Sequence, residues 1–341
     1  GGAGRSVPDG VSLARRGLGS PMLFAIVYTP VAAAIYFTLG VVAEHALGLT
    51  PLVFLAAGVF FVLTAMTYVE GASLHQERAG ATVFARYAFD ELWSFVAAWA
   101  ILLDFLILVA VCAFMTTDYL ELVWGRLGTG VAETALMLAV IAYVAVRNVR
   151  GFSVLRARRI LVLVVCDLVL QAAIVVIGAV AVLDPDLLVR QVDLGRAPTW
   201  EGLLFALTLA TVAFTSLESA SGLAGEIEVG RRGLRRLVSS VGGTVVVLYT
   251  GIALVALSAL PVTGGETALG TTYLEQPLVG VVAQFDPPWL ADVLRHVVVV
   301  LAALTLVAAA QAAMLGLSRL AYALATHRQI PSVVGRLHLG A

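Results

Sequence analysis

Eight long apolar runs set the limits on what this chain can become. They cover residues 21–44, 51–74, 92–117, 130–146, 160–183, 200–225, 237–262 and 293–318. A helix that crosses a hydrocarbon core about 30 Å thick needs about 17–25 mostly apolar residues, so each run is long enough. The runs are about twice the length of a barrel strand and do not alternate as one does. Backbone N–H and C=O groups find no water inside a bilayer, so runs like these cross it as helices. They predict an all-α, multi-pass integral membrane protein. The composition agrees: 60% of the residues are hydrophobic and 13% are charged, against about 45–50% and about 25% in soluble domains.

All 21 basic residues are Arg, which removes lysine Schiff-base chemistry and the P-loop lysine. The Arg residues also orient the bundle. With the N-terminus placed in the cytoplasm of a cell-membrane protein, 17 of them fall inside, and Arg126, Arg190, Arg196 and Arg295 fall outside. That is the distribution the positive-inside rule predicts. The net charge of −1 supplies no basic field, so no nucleic acid partner is expected. Cys112 and Cys166 lie in apolar runs and read as small core residues. The five histidines, His45, His75, His296, His327 and His338, stand mostly in loops and at span ends. No metal site, cofactor or enzyme active site is expected from them. The loop over 263–288 reads either as a gating segment or as a passive connector.

Ionisable groups inside a bilayer cost several kcal/mol and mark function by default. Here they are Glu70, Asp104, Asp167 and Glu218, with Gln171, His296 and Gln311 as further polar groups. Asp167 and Gln171 are spaced i, i+4 and share a helix face. A carboxylate there holds a proton or a cation, or locks helix packing through hydrogen bonds; both readings stand. Two spans look interrupted. In span 1, Pro30 removes a backbone donor and disfavours the helical state of Thr29. In span 6, Phe214-Thr215-Ser216-Leu217-Glu218-Ser219 puts a polar patch in mid-span. Interrupted helices five spans apart point to an inverted-repeat transporter with its substrate near the midplane.

Several motifs resemble those of the amino acid-polyamine-organocation (APC) superfamily of permeases. Tyr68-Val69-Glu70-Gly71-Ala72, Arg86-Tyr87-Ala88-Phe89 and Glu91-Leu92-Trp93-Ser94-Phe95 are similar to its span 2–3 signature. Phe214 to Ser219 with Glu226 is similar to its span 6 motif, and Gly316 to Ala323 with Ile330-Pro331 to its span 8 exit. The resemblance implies an inverted five-helix-repeat transporter fold with broken helices 1 and 6, here truncated after span 8. By that division 1–20 is a cytoplasmic tail, 21–183 the first repeat, 200–318 an incomplete second repeat, and 319–341 a second cytoplasmic tail. The implied function is secondary active transport of amino acids or related organic amines by alternating access, coupled to a proton or cation. The implied substrate-binding residues are Thr29, Pro30, Val31, Ala32 and Ala33 of span 1, with Phe214, Thr215, Ser216 and Glu218 of span 6. Asp167 and Gln171 are the expected coupling residues. Asp167 stands where some proton-coupled relatives carry a Lys. Pro30, Ala32, Ala33 and Ser216 stand where glycines are usual. A degenerate or truncated homologue with a binding or sensing role, and a channel, remain as alternatives.

Overall fold

The computed structural model describes residues 20–74, 81–125, 130–150, 154–192, 197–214, 231–326 and 329–330. In chain order the helices are α1 (Ser20–Ala46), α2 (Thr50–Leu74), α3 (Ala81–Ala88), α4 (Glu91–Glu121), α5 (Val131–Val149), α6 (Val154–Ala181), α7 (Pro185–Arg190), α8 (Trp200–Ala213), α9 (Arg231–Ala259), α10 (Pro277–Val282) and α11 (Pro288–Thr326). A 3-10 turn, Leu47–Leu49, joins α1 to α2. Among the described residues β-type pairing is confined to isolated bridges, such as that of Thr263 with Glu266.

Each of the eight apolar runs is helical over most of its described residues. Among the described residues six helical segments are long and apolar enough to cross a membrane, and the first of them, Val27–Gly71, carries both α1 and α2. The apolar α8 is shorter, at 14 residues. Several helices outlast their runs. Helix α9 starts at Arg231 instead of 237, and α11 covers Pro288–Thr326 instead of 293–318. Polar residues near a span end can reach headgroups and water, so they need not end the helix.

The expected break in span 1 is absent. Helix α1 continues without interruption through Pro30. Proline in a membrane helix costs one backbone hydrogen bond, which neighbouring helices and hydroxyl side chains can offset. Both kinds of bond occur along α1, on carbonyls other than that of Ile26, the one Pro30 leaves without an amide. The Thr29 hydroxyl donates back to the Ala25 carbonyl at 2.6 Å, and side chains from three other helices donate to α1 carbonyls, as described below. In span 6, α8 ends at Ala213, with Phe214 as its C-terminal cap. The patch that follows, including Thr215, Ser216 and Glu218, lies outside the described residues.

Helix α1 is the axis of the bundle. Between Val27 and Ala43 nearly every described side chain is buried, with α2, α6, α8, α9 and α11 packed around it. The outer helices are inside out by soluble standards. On α2, Leu52, Leu55, Val59, Phe60 and Leu63 face outward at helical spacing, and Val162, Val165, Val169, Val176 and Val180 do so on α6. Such stripes suit lipid. Cys166 belongs to the outward face of α6 and is exposed, contrary to its expected place in the core, whereas Cys112 is buried. Trp124, Trp200 and Trp289 stand exposed at helix ends, in the manner of an interfacial aromatic belt.

Two packing seams organise the rest. Residues of α1, α2, α6, α8, α9 and α11 share one large core. A second, separate core joins Ala98, Phe105 and Val109 of α4 to Ala313, Leu320 and Leu324 of α11. The 263–288 segment folds over one end of α1. A Cβ at Gly40 would lie 2.1 Å from the Leu274 carbonyl oxygen, and one at Gly270 would lie 2.6 Å from Glu44 Cα. Only glycine permits these approaches.

Candidate functional site

Asp167 is completely buried on α6. Its Oδ1 accepts from the Tyr36 hydroxyl of α1 at 2.6 Å and from Thr305 Oγ1 of α11 at 3.4 Å. Its Oδ2 accepts from Gln171 Nε2 at 2.8 Å. The i, i+4 spacing on α6 thus brings the carboxylate and the amide together, as the sequence predicts. Three neutral donors from three helices meet one acid, which is how a bundle can hold a polar group away from water. Gln171 Nε2 lies 3.4 Å from the Ala32 carbonyl of α1. Its Oε1 is buried and has no hydrogen-bond partner, and the Tyr28 hydroxyl is in the same condition.

The same stretch of α1 receives two more cross-helix donors. The Tyr249 hydroxyl of α9 donates to the Val31 carbonyl. The Tyr119 hydroxyl of α4 donates to the Tyr36 carbonyl at 2.8 Å. The carbonyls of Val31, Ala32 and Tyr36 are therefore each approached from a different helix. These bonds tie α1 to α4, α6 and α9; the carbonyl that Pro30 leaves without an amide is that of Ile26, and they do not go to it.

Of the residues expected to bind substrate, Thr29, Pro30, Val31, Ala32 and Ala33 are all buried on α1. Phe214 is buried at the end of α8. Its ring packs on Phe61 of α2, with centroids 5.4 Å apart, and on Tyr249 at 5.2 Å. Tyr249 also meets Phe54 of α2 edge to face at 5.6 Å. Tyr249 thus touches Val31 with its hydroxyl and Phe214 with its ring, linking the span 1 and span 6 segments. Of the other intramembrane polar groups, Glu70 is exposed, Asp104 half-buried, and His296 exposed with Nδ1 hydrogen-bonded to the Asp292 carbonyl at 2.7 Å. None of the three belongs to the Asp167 cluster.

Sequence reasoning missed Tyr36, Tyr119, Tyr249 and Thr305. A signal was present: a tyrosine inside an apolar span carries a hydroxyl that must find a partner. The partner's identity was not readable, because Tyr249 and Val31 are 218 positions apart and Thr305 and Asp167 are 138 apart. Among the described residues, no group of three or more His, Cys, Asp or Glu could hold a metal ion.

No curated protein gave a match to the chain. A family model described as amino acid permease matches residues 18–338. That range takes in all eight apolar helices, the Asp167 cluster and the α1 segment clasped by Tyr249. The chain belongs to the amino acid permease family, and it is a multi-pass membrane transporter.

Proposed function

We propose that the chain is a secondary active transporter that moves amino acids or related organic amines across the cell membrane by alternating access, with its N-terminus in the cytoplasm and with a proton or cation as the coupling species. The observation that carries this reading is the Asp167 site. A carboxylate is expensive to keep inside a bilayer, and this one is held against the α1 segment that the family resemblance marks for substrate. Asp167 is the coupling acid, and Gln171 its partner. Thr29, Pro30, Val31, Ala32 and Ala33, with Phe214, Thr215, Ser216 and Glu218, form the substrate site. The carbonyls of Val31 and Ala32 are the acceptors for the substrate's ammonium group.

Helix α1 packs against α8 and α11 alike, α2 against α8 and α9, and α4 against α5 and α11. Asp167 on α6 reaches α1 on one side and α11 on the other. Loading the acid with a proton or cation changes what it asks of Tyr36 and Thr305. Movement of α11 against α1 is thereby tied to the coupling species. The 263–288 segment, seated on α1 through Gly40 and Gly270, closes one face. The two expected repeats, 21–183 and 200–318, supply the inverted symmetry for such rocking.

Proteoliposome uptake tests this. The full chain should accumulate one or more radiolabelled amino acids or amines when a proton or cation gradient is imposed, and should show saturable counterflow without one. Folded protein that neither accumulates nor exchanges any of them would refute the proposal. Unsaturable flux would point to a pore instead.

A further inference from the structure

Tyr249 has no role in the reading above, yet it occupies the place where that reading needs an open acceptor. Its side chain is buried, and its hydroxyl donates to the Val31 carbonyl. One turn earlier, Pro30 has already removed the amide that would serve the Ile26 carbonyl. A phenol from α9 thus sits against α1 at Val31, just past the one backbone bond that the proline removes. The ring is fixed by Phe54 on one side and Phe214 on another. A side chain so wedged can compete with a ligand and can limit the ligand's width.

We infer that Tyr249 is a specificity-determining residue of the carrier: its hydroxyl stands in for the substrate's ammonium group on the Val31 carbonyl, and its ring against Phe214 sets how wide a substrate side chain can be. This rests on the transporter reading. An ammonium group carries three donors. Beside Val31 it would find the Ala32 carbonyl and the buried, unpartnered Oε1 of Gln171. When substrate arrives, the phenol gives up its acceptor. When substrate leaves, the phenol returns and the empty site carries no bare carbonyl. A ligand without an amine has no claim on that acceptor and should be indifferent to the hydroxyl.

The test compares wild type with Tyr249→Phe, which keeps the ring and removes the hydroxyl. Inhibition of uptake is measured for L-alanine against propionate and for L-leucine against 4-methylpentanoate, pairs that differ by the α-amine. The variant should bind the amino acids about fivefold more tightly, the worth of one displaced hydrogen bond, and bind the deaminated acids unchanged. Tyr249→Ala should additionally admit L-tryptophan or L-phenylalanine as an inhibitor when wild type excludes it. If Tyr249→Ala fails to fold, the Phe variant still decides the question, through uptake and through the ligand-induced rise in Tm of solubilised protein. An equal shift for both members of each pair, or no shift, would overturn the inference while leaving the transporter reading intact. Wild type that carries no amino acid or amine would overturn both.

Discussion

The two seams of this bundle are held by opposite means. Between α4 and α11 an apolar cluster makes the contact: Ala98, Phe105 and Val109 meet Ala313, Leu320 and Leu324. A Cβ at Gly316 would sit 2.6 Å from the Phe105 ring, so the fit is close. Between α1 and its neighbours the contact is sewn with hydrogen bonds, from Tyr36 to Asp167, from Gln171 to the Ala32 carbonyl, from Tyr119 to the Tyr36 carbonyl, and from Tyr249 to the Val31 carbonyl. Lipid tails are as apolar as leucine, so an apolar seam gains mostly from close packing, and a polar seam gains from donors that have nowhere else to go. Packing of the first kind is stiff. Hydrogen bonds of the second kind can be exchanged one for another, which suits a joint that must open.

The strongest way to break the comparison is Asp167→Asn, which keeps the shape and removes the charge. Gradient-driven accumulation should disappear completely while counterflow persists, as read in proteoliposomes. Phe105→Ala attacks the apolar seam instead. It should cost about 3 kcal/mol of stability, seen as a lower Tm of solubilised protein, with the Km of the surviving carrier unchanged. Tyr36→Phe removes one donor from the acid and should cost about 1 kcal/mol, with accumulation reduced more than exchange. Thr305→Val loses only a long bond of 3.4 Å. It should cost about 0.5 kcal/mol and leave Tm nearly unmoved, while trimming accumulation by less than Tyr36→Phe does.

The helices were legible because a bilayer imposes a length, and eight runs met it. The Asp167–Gln171 pair was legible because helical spacing puts i and i+4 on one face. Pro30 was misread for a physical reason. Its effect is the local loss of one backbone bond, whereas the packing that surrounds α1 comes from residues such as Tyr119, Gln171 and Tyr249, distant in sequence. Short helices α3, α7 and α10 carry no bilayer-length signal, and the ends of α9 and α11 were cut short because polarity was taken as a stop.

The clasp on Asp167 also has an order in time. Chains are made from the N-terminus, so Tyr36 is already placed when residue 167 emerges, and Gln171 follows four residues later on the same helix. Two of the acid's three donors are thus made before it or on its own helix. Thr305 joins only after a further 138 residues have been made. Helix α1 is thus made before the buried acid that its Tyr36 comes to hold.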